Sequence, residues 1–158
     1  MHFAFEYDKP RVVQALRFHF LSRPEIRLII IAINVFAVVA GVLFYLKKIR
    51  PEPFFLGSVL WIAIMITYWF ALPQMIYRKS STFQHKFIVH INDSGLQIDA
   101  EIGHNSWPWE SITHYVESPN FYHIYFNPTN FFLIPKYAMD TETLKSFVAI
   151  LQQRVQKK

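Results

Sequence analysis

Two stretches without a charged residue constrain this chain more than any other feature. The first runs from Leu28 to Leu46, LIIIAINVFAVVAGVLFYL, and the second from Phe54 to Ile76, FFLGSVLWIAIMITYWFALPQMI. As α-helices they reach roughly 28 and 34 Å, enough to cross a hydrocarbon core of about 30 Å. Soluble helices of this length carry a charged face, and these have none. A cleaved leader fits poorly, because the first run begins behind a charged segment with its own periodicity. Only KKIRPEP, Lys47 to Pro53, separates the two runs. The pattern predicts a transmembrane hairpin with spans 28–46 and 54–76 and both termini on one side.

Charge sets the expected orientation. Arg11, Arg17, Arg23, Arg27, Arg78, Lys79 and Lys86 flank the spans on the terminal side, against Lys47, Lys48 and Arg50 in the loop. Positive residues favour the cytoplasmic face, so cytoplasmic termini are expected. The formal net charge of +5 resolves into +2 for residues 1–27, +2 for 47–53 and +1 for 77–158. The excess is juxtamembrane. No basic stripe is left for a phosphate backbone, and nucleic acid is not an expected partner. Cysteine is absent, which removes disulfides, thiolate metal sites and a cysteine nucleophile.

The flanking segments read as a folded module. In FAFEY, residues 3–7, Phe3, Phe5 and Tyr7 alternate as in a short strand. Asp8 is a helix N-cap, Pro10 suits the first turn, and Lys9 to Ser22 forms an amphipathic helix that leads toward the membrane or lies on it. Pro24 marks the break before the first span. Beyond Arg78, Phe83 to Ile91 reads as a strand, NDSG (Asn92 to Gly95) as a turn and LQIDAEI (Leu96 to Ile102) as the returning strand. GHNS (Gly103 to Ser106) reads as a second turn. Three further strands follow at Ile112 to Glu117, Phe121 to Phe126 and Asn130 to Ile134. Asp140 caps a last helix, Thr143 to Gln156, with an apolar stripe of Leu144, Phe147, Val148, Leu151 and Val155.

Antiparallel strands closed by one amphipathic helix outline a pleckstrin-homology-like (PH-like) half-barrel, so the fold class is membrane α+β. The expected organisation is residues 1–27 as N-terminal strand and helix, 28–76 as hairpin and 77–158 as the PH-like domain. The strand at 3–7 could join the same sheet from across the hairpin.

In FAFEYDKPRVV, FIVHINDSGLQID, WPWESITHYVES and FFLIPKYAMDTETLKSFVAIL, together with the short hairpin, the chain resembles the YcxB-like membrane proteins over nearly its whole length. Trp109 and Ile112 fit that family's tryptophan–gap–isoleucine pattern, and Phe132 to Lys136 its aromatic–Ile–Pro–Lys strand end. The resemblance implies a protein of the bacterial cytoplasmic membrane with a PH-like cytoplasmic module, and it supplies no catalytic residues.

Candidate sites are few. His85 and His90 point to opposite faces of one strand, and His104, His114 and His123 fall in three elements; solvated or turn histidines are expected, not metal ligands. No nucleophile motif occurs. Glu110 with His114, or Asp99 with Glu101, are the pairs from which an enzyme acting on lipid-linked substrates would have to be built. Surface carboxylates in hairpins are ordinary, so a non-catalytic protein without cofactors is expected. Trp107 and Trp109 bracket Pro108; Trp109 either packs under the last helix while Trp107 covers an edge, or both contact a partner or the membrane interface. Tyr122, Ile124 and Phe126 share one strand face that, if exposed, would meet a protein or lipid. Within the spans, Asn34, Ala37 and Gly41 face Ala63, Thr67 and Ala71 as small-residue stripes, with Asn34 hydrogen-bonding Thr67 or Tyr68. Pro73 frees the Trp69 carbonyl and kinks the second span. The leading expectation is a membrane-anchored module that recognises a protein partner or lipid headgroups. The alternative is an accessory subunit of a transporter or envelope assembly, acting through its hairpin.

Overall fold

The structure is a computed structural model describing residues 1–101 and 103–158. Ile102, the last residue of the expected returning strand, lies outside the described residues. The chain divides into two units, one made of Met1–Ala15 with Ser80–Lys158 and the other of Leu16–Lys79. The first strand therefore belongs with the C-terminal half, so the folded domain is discontinuous and the expected boundaries at 27 and 77 shift.

In the first unit β1 (His2–Glu6), β2 (Lys86–Asn92), β3 (Gly95–Ala100) and β4 (Gly103–Pro108) form an antiparallel sheet in chain order. β5 (His114–Glu117), β6 (Phe121–Tyr125) and β7 (Phe131–Pro135) form a second one. β1 pairs with β2 in the register Phe3↔Val89 and Phe5↔Phe87. The N-terminal amine donates to the Ile91 carbonyl at 3.1 Å, and the Ile91 N–H donates to the Met1 carbonyl at 2.8 Å. Alternation then works as strand geometry requires. Phe3, Phe5, Phe87, Val89, Ile91, Leu96 and Ile98 are buried, and their neighbours face solvent.

Aromatic rings fill the space behind that sheet. Phe5 lies 5.6 Å from Phe87 and 6.3 Å from Phe132 of β7, and the Tyr7 hydroxyl donates to the Leu133 carbonyl at 2.7 Å. All five residues of β6 are buried, which sequence alternation cannot reveal because both of its faces are covered. α5 (Thr141–Arg154) buries Phe147 and Leu151, with Phe147 edge-on to Tyr122 at 5.6 Å. Asp140 caps it, accepting from the Thr143 N–H at 2.6 Å. The segment after the helix returns to β5, where the Tyr115 N–H donates to the Gln156 carbonyl at 3.0 Å.

Two local expectations are corrected. GHNS is not a turn; Gly103–Pro108 is β4, paired with β3 from Ala100↔Gly103 to Gly95↔Pro108. The strand was illegible because it is an edge whose residues face solvent on both sides, leaving no apolar alternation. Gly95 is required here, since a Cβ would collide with the Trp107 carbonyl oxygen. The second correction concerns α1 (Lys9–Ser22), within which the unit boundary falls. Val12, Val13 and Ala15 are buried in protein, so this face does not lie on a membrane.

The second unit holds two helices long and apolar enough to cross a membrane, Pro24–Tyr45 and Pro51–Lys79. We label the first α2; the second is α3 (Pro51–Ile66), a π-helical turn at Thr67–Ala71, and α4 (Leu72–Lys79). Prolines stand in the first turn of α2 and α3, where the missing N–H costs nothing. Pro73 cannot donate to Trp69, and the helix widens just before it, with the Leu72 N–H donating to the Thr67 carbonyl five residues back. The freed Trp69 carbonyl accepts from Arg17 Nε at 2.8 Å, while that guanidinium also lies 5.2 Å from the Phe70 ring. The carbonyl that Pro73 orphans is thus satisfied by a cation from outside the helix.

The fully buried Phe147 holds the three-stranded sheet against α5. Phe147→Ala is expected to cost about 3–5 kcal/mol, measured by urea unfolding of the chain and followed by near-ultraviolet circular dichroism.

Candidate interaction surface

Among the described residues β4 is an edge strand of the first unit. Neighbours pair it only on the β3 side, and its residues are exposed except half-buried Trp107. The Trp107 ring stacks on Phe126 at 4.7 Å and 26°, joining the end of β4 to the turn between β6 and β7. Asn127 shapes that turn, its Oδ1 accepting from the Thr129 and Asn130 N–H groups. Trp109 does something different. It is buried, and its indole N–H donates to the Asn92 carbonyl at 3.1 Å, tying the turn after β4 to the β2–β3 turn.

Of the expected surface residues, Trp107 and Phe126 therefore share a half-exposed platform, whereas Trp109, Tyr122 and Ile124 do not contribute. Tyr122 and Ile124 are buried, at 5% and 1% exposure, so the face they share is core. That correction follows from α5, whose Phe147 meets Tyr122.

The open face of the four-stranded sheet carries a polar row that sequence reading missed. His2 stacks on His90 at 5.8 Å across the β1–β2 pair. His90 Nε2 lies 3.3 Å from one Asp99 oxygen, and His104 Nδ1 meets the other. His90 and Asp99 are a diagonal pair, two residues apart in register, and Asp99 opposes His104 directly. Pairing brings these residues together; no fixed sequence spacing announces it. Among the described residues no group of three such side chains has the geometry to hold a metal ion. His123, expected to be solvated or in a turn, is buried instead, with Nε2 2.9 Å from the Ser118 hydroxyl, and His19 of α1 is buried as well. Burial, with Arg23 nearby, lowers His19 to about 4, so it stays neutral at physiological pH.

Glu117 forms a clasp. Its two oxygens accept from Lys136 at 2.8 Å and Lys157 at 2.9 Å, joining β5 to the end of β7 and to the C-terminus. Lys136 Nζ also lies 4.8 Å from the Tyr122 ring. The two lysine hydrogen bonds hold the Glu117 carboxyl down at about 2. Burial, and then the neighbouring Glu117, push the Tyr122 hydroxyl up to about 12. This links two signatures that the sequence presents separately: Glu117 in WPWESITHYVES and Lys136 at the end of FFLIPK. His114, half of the enzyme pair considered above, is stacked on Tyr125 at 4.5 Å, and its Nδ1 is 3.2 Å from the Thr113 hydroxyl. Burial and then Lys158 lower its pKa.

Residues 91–151 match the family model of the YcxB-like protein. The chain carries a YcxB-like domain. No curated protein matches the chain, and no solved structure does. The matched stretch begins near the end of β2 and closes in α5, so it contains the edge strand, the aromatic platform and the Glu117–Lys136 pair. β1, the hairpin and most of β2 lie outside it, a narrower span than the resemblance suggested.

In the second unit Asn34, Ala37 and Gly41 of α2 are half-buried, and Ala37 and Gly41 line the space between α2 and α3. The stripe expected on the other helix does not line it. Ala63, Thr67 and Ala71 are exposed, and Phe54, Ser58 and Trp61 line the hairpin interior instead. Asn34 does not bridge the hairpin either; it donates to the Ile30 carbonyl at 2.8 Å, as Thr67 does to Ala63. The nearest acceptor for a short polar side chain in a helix is its own preceding turn.

Glu117 supplies the clearest pH dependence of the YcxB-like domain. Its pKa is depressed in the folded state, so its contribution is present above the ordinary carboxylate value near 4.5 and is lost as pH falls toward about 2. Glu117→Gln is expected to lower stability at neutral pH and flatten the stability profile between these limits. Denaturant midpoints measured across that range check it, and an unchanged slope would contradict the clasp.

Proposed function

We propose that this chain is a two-pass protein of the bacterial cytoplasmic membrane, with both termini cytoplasmic. Its discontinuous YcxB-like domain, a PH-like half-barrel, acts as a non-catalytic module that captures a protein partner at the β4 edge. The supporting observation is that edge. It is an exposed strand with free backbone groups, ending beside the Trp107–Phe126 platform. An extended peptide adds to such an edge through main-chain hydrogen bonds, and an adjacent aromatic pair supplies a side-chain pocket. Exposed edges invite unwanted pairing, and this one lacks the lysines that usually blunt them. A lipid headgroup is the weaker reading. The open face of the same sheet pairs its cations with carboxylates, as in Lys86–Glu6 at 3.9 Å and His90–Asp99 at 3.3 Å, and leaves no concentration of positive charge for a phosphate.

Photo-crosslinking in the native membrane tests this. A photoreactive residue at Asn105, on the edge, is expected to give a discrete adduct, and one at Lys145, exposed on α5, none. The adduct should persist when both spans are replaced by unrelated ones. Loss of the adduct on that replacement would favour the alternative, an accessory subunit acting through its hairpin. Equal labelling from both positions would remove the edge as the site.

A further inference from the structure

We propose that the hairpin holds one anionic phospholipid, with an acyl chain between its helices and the phosphate on the connecting loop. The inference rests on the two-span reading above and concerns a site separate from the β4 edge. α2 and α3 meet at the loop end, where Phe44 stacks on Phe54 at 4.2 Å. They leave an apolar groove of about 500 Å³, walled by Ile33, Ala37 and Gly41 on one side and Phe54, Gly57 and Trp61 on the other. The space at the glycines is real, because a Cβ on Gly41 or Gly57 would meet nothing within 4 Å. Ser58, which also lines the groove, has its hydroxyl committed to the Phe54 carbonyl at 2.9 Å. The lining is therefore apolar apart from the Trp61 indole N–H, which is buried without a hydrogen-bond partner.

Height and charge select the occupant. On α2 the lining runs from Ile33 to Leu43, about 15 Å along the axis, which is half of a hydrocarbon core of about 30 Å. The groove thus spans one leaflet, the reach of a single acyl chain, and extends to Ile49 of the loop beside the Phe44–Phe54 stack. Ile49 of that loop lines the groove, and the cations on either side of it, Lys48 and Arg50, are exposed together with Lys47. None of the three joins an ion pair among the described residues. Lys47 stands at φ 54, a left-handed conformation that favours glycine, where the chain reverses at the end of α2. An apolar slot one leaflet deep with three unpaired cations at its mouth complements a phosphodiester that carries a fatty chain.

Native mass spectrometry of the full chain released from detergent, with phosphatidylglycerol or phosphatidylcholine of identical chains added, tests the site. One phosphatidylglycerol per chain is expected to be retained over phosphatidylcholine by about tenfold. Gly41→Leu with Gly57→Leu fills the groove and should abolish retention of both lipids while circular dichroism stays unchanged. Lys47→Gln, Lys48→Gln and Arg50→Gln together should remove the preference and leave chain binding. Lipids brominated in mid-chain should quench a fluorescence component that Trp61→Phe deletes. Equal retention of the two lipids, or retention that survives the filled groove, would overturn the site. A lipid-free dimer would do so too, by placing a second copy in the groove. A chain that needs no detergent to stay in solution would overturn the two-span reading itself, an outcome distinct from a detergent-dependent chain that holds no lipid.

Discussion

The five-residue ladder between β1 and β2 is the contact on which the domain depends. It joins residues at opposite ends of a long insertion, so that His2 to Glu6 complete a sheet whose other strands begin at Lys86. Without β1, the inner face of β2 would lose Phe3 and Phe5, and the Phe87 and Phe132 rings would lose one of the partners they share. Closing so long a loop costs conformational entropy, yet each doubling of loop length adds only about 0.6 kcal/mol. The burial of two phenylalanines offsets such a term. Because β1 and β2 are neighbours, the chain leaves the domain for the helical hairpin and comes back to the adjacent strand.

The same ladder orders the open face of the sheet. Cross-strand register, and not sequence spacing, aligns His2, His90, Asp99 and His104 in one row. It also leaves β4 as the far edge, furthest from the strand that completes the other side. The clasp at Glu117 plays the corresponding part for the second sheet, tying its first strand to Lys136 and to the chain end. These two devices fix a scaffold on which the β4 edge and the Trp107–Phe126 platform are presented.

How much of this could be read in advance depended on whether a residue's environment is periodic. The two long apolar helices were legible because each is an unbroken uncharged run, and Asp140 and Pro73 acted locally as their chemistry dictates. The alternation of Phe3, Phe5 and Tyr7 announced β1. β4 was missed because a doubly exposed edge needs no apolar pattern, and Tyr122 and Ile124 were misplaced because a strand buried on both faces has no pattern to distinguish them. The stripe at Ala63, Thr67 and Ala71 failed for a related reason. Small residues suggested close packing, but large rings, Phe54 and Trp61, face the hairpin interior, and Phe54 stacks on Phe44 of α2 at 4.2 Å. The Glu117–Lys136 pair lay in two separate signatures, and only the fold places them together.

The discontinuous domain is tested most directly by the register of its first strand. Ala4 and Ile88 oppose one another on the exposed face of the β1–β2 pair, and the chain contains no cysteine of its own. With cysteine at both positions, mild oxidation of the protein should consume both thiols and link the strands within one molecule. Cysteines at Ala4 and Lys145, which lie on different elements, should stay free. If the Ala4–Ile88 pair remains reduced, or links only between molecules, residues 1–6 do not belong to the sheet and the account of a domain interrupted by its own hairpin is wrong.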